Sequence, residues 1–381
     1  MNPNLLVDNT LVPPLPAPVW FIELFKVLGF TLHEVPMNLW YAGIITAMIL
    51  YVWGSESGRR FSGRLMTQMP IIIAMGINFG IVPLLFIQVG YAKLFYPATV
   101  LMAWFWFLVI VLVIPAYYGV YVYAFGLKGQ GKSMARWKQA AGWISAFLFL
   151  VIGFFFANAL SLMENWKSWT DLWQRHSIDG AALGTALNAG ADVRFWPRWL
   201  LMFGLALGTT GAWVAFDSAW FATREKPEYR QWAKEFALKL YTLSAAWFLV
   251  AGAGYSFGTW SPEVKRTMLL GWGIPLTLLT IAAPAGPWYL LWRARQQPGE
   301  IDRRWASLVG AAQFGVLAVN AISRQVVQNI EVRAYYNILD QATSTQWSAM
   351  AVFLISFVVG AAIVAWLVWQ VAKLRAEPEK A

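Results

Sequence analysis

Residues 30–53 read FTLHEVPMNLWYAGIITAMILYVW, and how this stretch is read decides the fold. His33 and Glu34 interrupt an otherwise apolar run, which continues unbroken to Trp53. About 20 apolar residues are enough to cross the hydrocarbon of a bilayer, so the stretch reads as part of a membrane span. The run begins near residue 20 and is longer than a bilayer requires, so residues from Val19 to about Phe30 are expected to form a tilted or interfacial lead-in. Pro36 frees the carbonyl of Leu32 one turn earlier and predicts a kink there.

Working outward, the 381 residues are 59% hydrophobic and 13% charged, far from the balance of a soluble domain. Apolar runs, breakers and charges place nine spans, near 20–53, 65–92, 97–126, 139–163, 197–221, 237–258, 268–292, 305–328 and 347–372. The fold class is therefore an all-α polytopic membrane helix bundle. Segment 1–19 lies before it, and the tail 373–381 after it. Loops on one side of the spans carry eighteen Lys and Arg, against eight on the other, and the bias alternates at every loop. By the positive-inside rule this puts the N-terminus outside and the C-terminus in the cytoplasm, as expected for a multi-pass protein of a bacterial inner membrane. The net charge of +10 is accounted for by this asymmetry, which argues against nucleic acid as a partner and for lipid. The proline-rich N-terminal segment has no basic region or small-residue cleavage site, so no cleavable signal peptide is expected.

The longest loop, 164–196, is then extracytoplasmic. Its segment NWKSWTDLWQRHS (165–177) spaces Trp166, Trp169 and Trp173 along one helical face, which predicts a short helix on the membrane surface with its indoles among the headgroups.

The chain has no cysteine, so disulfides, iron–sulfur ligation and covalent c-type haem attachment are excluded for it. No HExxH, P-loop or GxSxG pattern occurs, and GLKGQGKS (126–133) has the wrong spacing for a nucleotide site. His33 is one of only two histidines, and a neutral imidazole in a span is either a haem-iron ligand, a proton-relay member or a hydrogen-bonded packing residue. Met37 shares its face one turn on. Glu34 is a candidate for a proton relay or a haem propionate neighbour, or alternatively faces interfacial water. In GINFGIVPLLFIQVGYAKLFYP (76–97), Gly76, Asn78, Gly80 and Pro83 mark a kinked span approached closely by something, a cofactor or simply another helix. In NAISRQVVQNIEVRAYYN (320–337), Arg324 suits carboxylate or propionate anchoring, with snorkelling to headgroups as the plain alternative. His176 reads as a solvated loop residue.

LHEVPMNLWYAG (32–43), INFGIVPLLFIQVG (77–90) and SRQ (323–325) together resemble subunit I of the cytochrome bd quinol oxidases, and a set of bacterial membrane proteins sharing the NFGxxPLLF element. The resemblance covers about a tenth of the chain and implies a nine-span bundle with its N-terminus outside. It implies His33 as an axial ligand of haem b iron, with Met202 in FWPRWLLMFG (195–204) standing where the family has its second histidine. The family's long quinol loop is absent, since only GTWSPEVKR (258–266) separates the spans.

The function expected is that of an electron-transfer subunit in a bacterial respiratory complex, binding b-type haem, quinone or both, beside a c-type cytochrome. Its cofactor-binding candidates are His33, Met202, Met37, Asn78, Arg198 and Arg324, with the two arginines pairing propionates. The alternatives are a cofactor-free anchor subunit of a membrane complex, and a transporter whose path is lined by Glu34 and Asn78.

Overall fold

The computed structural model describes residues 13–127 and 134–376. The basic residues Lys128, Lys132 and Lys380, the start of the N-terminal segment, the end of the tail and most of GLKGQGKS lie outside the described residues. Fourteen α-helices follow one another: α1 (Val19–Asn38), α2 (Ile44–Trp53), α3 (Glu56–Gly90), α4 (Ala92–Leu101), α5 (Ala103–Leu127), α6 (Arg136–Glu164), α7 (Trp169–Arg175), α8 (Phe195–Trp220), α9 (Pro227–Ala253), α10 (Pro262–Leu270), α11 (Ile274–Ala282), α12 (Ala285–Gln296), α13 (Arg303–Val332) and α14 (Trp347–Ala376). Nine helical segments among the described residues are long and apolar enough to cross a membrane, and the protein is an all-α, multi-pass bundle.

The nine segments overlap the nine expected spans; α3 and α9 begin earlier than expected, at Glu56 and Pro227 instead of residues 65 and 237, because their first turns are charged, and two other entries fall later. The third was expected from residue 97, but residues 92–101 form the separate helix α4, closed off at Met102. The seventh was expected from residue 268, but α10 ends before Gly271 and the long segment starts at Ile274. Both errors have one cause. Apolar residues continue through a turn, so hydropathy alone does not register the break.

Local chemistry explains the other ends. Ser55, Ser261 and Asp302 cap α3, α10 and α13, each accepting a backbone N–H three residues on. After Pro36 the chain does not simply kink. Leu39–Gly43 widens into a π turn whose five residues are all buried, before α2 resumes.

The tightest helix pairs are α8 with α9, α1 with α3 and α5 with α6, and α13 packs against both α1 and α8. α5 and α14 turn large apolar side chains such as Trp104, Ile110, Tyr118, Ile355 and Trp366 outward, as lipid-facing helices do. Loop 165–194 closes one end of the bundle. The segment before α1 pairs with the α13–α14 connection at this same loop end, with Leu15 N–H donating to the Ala342 carbonyl (2.8 Å).

The short helix in this loop is present, as Trp166–Ser168 in 3-10 form followed by α7. Two of its three indoles are buried by protein. Trp169 and Trp173 are buried in the core beside Tyr91 and Phe95, and Trp169 donates to the Leu162 carbonyl (2.8 Å). Trp166 stacks on Tyr335, with centroids 5.0 Å apart. The three tryptophans therefore staple the loop down onto α6 and the end of α13. The i, i+3, i+7 spacing is the same for a face buried by lipid and a face buried by protein.

Candidate functional site: a buried polar seam

α1 and α13 run antiparallel through the centre of the bundle, and both carry polar residues on the faces that meet. On α13, Gln313, Asn320, Arg324, Gln328 and Glu331 recur at helical spacing on one side. On α1 the facing set is Lys26, Glu34 and Asn38. The register is set by two contacts. Lys26 Nζ donates to Gln328 Oε1 (3.2 Å), and the Arg324 guanidinium lies over the Phe30 ring (4.5 Å). Continued one turn, this register places Asn320 opposite Glu34.

Glu34 is 0% exposed, and neither carboxyl oxygen has a hydrogen-bond partner among the described residues. A buried carboxyl that is left unpaired is expensive, so this is the most demanding polar group in the bundle. One turn on, Asn38 Nδ2 donates to Thr209 Oγ1 (2.9 Å), Gln313 Nε2 donates to the same oxygen (3.0 Å), and Tyr241 donates to Gln313 Oε1 (2.6 Å). Toward the loop end, Lys26 sits over the Tyr91 ring (3.7 Å) and is 4% exposed. The Tyr91 hydroxyl lies between Glu23 and Asn329 and accepts from Gln325 Nε2 (2.8 Å).

The loop end of the seam is charged. Arg198 bonds Glu164 (2.5 Å), while Arg194 bonds both Asp192 (2.8 Å) and Glu331 (2.9 Å). Burial works against the charge on Arg194, but Asp192, Glu164 and Glu331 outweigh it and hold its pKa above the ordinary value. These pairs tie α6, α8 and α13 together at the point where the seam meets the 165–194 loop.

His33 lies beside the seam, not in it. Its Nδ1–H donates to the Gly76 carbonyl (2.7 Å), since a carbonyl can only accept, and the neutral ring then keeps its lone pair on Nε2. The imidazole lies flat against Gly80, where an added Cβ would fall 2.8 Å from Cε1. At Gly76 an added Cβ would fall 2.3 Å from the Trp40 ring. The small residues of 76–80 are therefore there for α1, and what approaches them is His33 and Trp40.

The remaining candidates scatter. Met202 packs against the buried cluster of Leu201, Leu205, Phe248, Val316 and Leu317, as Val35 does. Val35 and His33, two residues apart, point to opposite sides of α1, so His33 and Met202 do not stand as an axial pair. Met37 packs into the main core. Asn78 is exposed on the far side of α3 from Gly76 and Gly80, and bonds back to the Ala74 carbonyl (2.8 Å). It lines a laterally open cleft of about 390 Å³ with Pro70, Met75, Phe79, Tyr117 and Tyr121. Arg198 is committed to Glu164, and Arg324 faces the seam. His176 bonds Thr185 Oγ1 (3.1 Å) within the loop.

Sequence reasoning found Glu34 and Arg324 separately and missed Lys26, Asn38, Thr209, Gln313, Asn320 and Gln328. The recurrence of polar residues every three to four positions within spans one and eight was the signal that would have joined them.

No protein-family model matches this chain, and no curated protein matches it significantly.

Proposed function

We propose that this protein is a proton-handling subunit of a membrane electron-transfer complex, exchanging a proton between the loop end of the bundle and Glu34. The observation that carries the reading is Glu34 itself, an unpaired carboxyl at the centre of a polar seam that rises to the Arg198–Glu164 and Arg194–Glu331 pairs. Ionisable groups inside a span mark ion or proton pathways when they line up in this way. A carboxyl with no fixed partner, facing amides and one guanidinium, is free to take a proton up and to give it back. The test is infrared difference spectroscopy of the reconstituted protein between two bulk pH values. A protonated-carboxyl band that responds to pH is expected, and its absence from the wild type ends the reading.

The bacterial inner membrane, an outside N-terminus and a cytoplasmic C-terminus are proposed from the eighteen-to-eight basic asymmetry, which makes the loop end extracytoplasmic. A C-terminal reporter active only outside the cell would reverse it. The partner proposed on that outer side is a c-type cytochrome.

A second reading, that the chain binds haem b, rests on one observation. The Gly76 carbonyl orients His33 as outer partners orient metal-ligating histidines, with Nε2 left to bind iron. The position of Met202 does not fit a His/Met pair, so the reading narrows to five-coordinate iron on His33. The cleft at Asn78 has the dimensions of a ligand pocket and is the place for a quinone headgroup. A pyridine haemochrome assay on the purified protein decides the haem. A b-type signal lost in His33→Ala supports it, and a colourless wild type removes it and leaves the anchor and transporter alternatives beside the proton reading.

A further inference from the structure

We propose that the cavity between Lys26 and Arg324 is a binding site for a one- or two-carbon carboxylate anion. This small space of about 40 Å³ lies between α1, α3, α6 and α13, with Phe30, Pro83 and Leu160 as apolar walls and Lys26, Arg324, Gln325 and Gln328 as polar ones. A water-sized group needs roughly 10–15 Å³ by this measure, so the space takes about three of them, the size of formate or acetate.

The charges around it favour an anion. Lys26 gives one hydrogen bond, to Gln328 Oε1, lies over the Tyr91 ring, and is bonded to no carboxylate among the described residues. Arg324 bonds to no acceptor among the described residues, although a guanidinium offers five donors in a planar fork. Gln328, whose oxygen accepts from Lys26, lines the same space. The acidic residues nearby do not answer these donors. Glu23 is held by Tyr91, Glu164 by Arg198 and Glu331 by Arg194, and neither oxygen of Glu34 bonds to Arg324. Two cations therefore border one small space, and neither is bonded to a carboxylate among the described residues. Buried charge in that state is costly, and an anion relieves it.

The shape selects the class of anion. A planar carboxylate meets the guanidinium fork with two parallel hydrogen bonds and leaves an edge for Lys26. Sulfate and phosphate have five heavy atoms and exceed the space. A halide fits, but cannot use the fork. A long-chain carboxylate would need an open path for its tail between Phe30 and Pro83. The proposal does not rest on proton exchange at Glu34, since the donors it uses belong to Lys26 and Arg324.

The experiment is thermal unfolding of the full chain in detergent, titrated with sodium formate, acetate, sulfate and octanoate at matched ionic strength. A ligand that binds the folded state raises the midpoint in a saturable way. Formate and acetate are expected to do so, and sulfate and octanoate not. Arg324→Gln is expected to weaken the apparent affinity for formate about tenfold or more, while Arg333→Gln on the exposed end of the helix leaves it unchanged. If Arg324→Gln does not fold, Lys26→Met carries the same expectation, and saturation-transfer NMR with formate on the wild type, competed by acetate, reads binding directly. No saturable shift or transfer, an undiminished affinity in the variants, or octanoate binding as tightly as formate overturns the proposal.

Discussion

Glu34→Gln is expected to delete the pH-responsive carboxyl band from the infrared difference spectrum while leaving the fold intact. The two side chains are nearly isosteric, and Glu34 makes no hydrogen bond that the amide would break. The substitution removes the one atom group able to accept and release a proton there, and removes nothing else. In the assembled complex, any turnover limited by that proton should fall by about 100-fold or more, the usual consequence of losing a positioned proton donor. Glu34→Asp keeps a carboxyl but draws it back by one methylene, and is expected to retain the band with slower exchange. An unchanged spectrum in Glu34→Gln would assign any band to another group and remove Glu34 from the pathway. Asn38→Ala, one turn away, is the control for a merely structural effect, because it breaks the bond to Thr209 and leaves the carboxyl in place.

Asp217→Ala is expected to destabilise the bundle by about 3 kcal/mol, the scale for breaking a buried ion pair from one side. At the end opposite the loop, Arg64 Nε and Nη2 each bond one oxygen of Asp217 (2.8 and 2.9 Å), and Gln68 adds a third bond (2.8 Å). Asp217 is 1% exposed, so its loss leaves the Arg64 guanidinium and the Gln68 amide facing a hole, with only Glu225 still in reach of Arg64 (3.2 Å). This cluster joins the start of α3 to the end of α8. The exposed Arg175–Asp171 pair makes a useful contrast, since both side chains are mostly in solvent and Arg175→Ala should cost nothing measurable. Burial alone would raise the pKa of Glu225, but Arg60 and Arg64 outweigh it and hold the carboxyl below the usual range. Its contribution to stability is therefore present above the ordinary carboxylate pKa and is lost as pH falls through the lowered value. Equilibrium unfolding in mixed micelles reads both effects. A difference under about 0.5 kcal/mol for Asp217→Ala would mean the pair is not formed, since surface substitutions stay within that range.

The span pattern was legible because a bilayer imposes length and hydropathy on each helix separately, before any helix meets another. That is why nine segments and Pro36 are readable from the chain alone. Glycines at 76 and 80 announced a close approach for the same reason, since a missing Cβ is a local fact. Their partners were not announced. Whether an imidazole, an indole or a cofactor fills that space depends on which face of α1 meets α3, and the π turn after Pro36 shifts the faces downstream by a residue that no periodicity rule includes.

A multi-pass helical bundle with a few costly polar groups inside it follows from the order of residues along the chain. How those groups combine follows from packing between helices. Glu34, Arg324 and Lys26 form one seam because α1 and α13, separated by some 270 residues of chain, lie antiparallel in a register set by Lys26–Gln328 and Phe30–Arg324. His33 and Met202 are separated because residues two apart on a helix face opposite ways. The indoles of Trp169 and Trp173 are buried by protein because the loop folds back over α6. In each case the side chain's chemistry is local, whereas its partner is chosen by packing between distant segments.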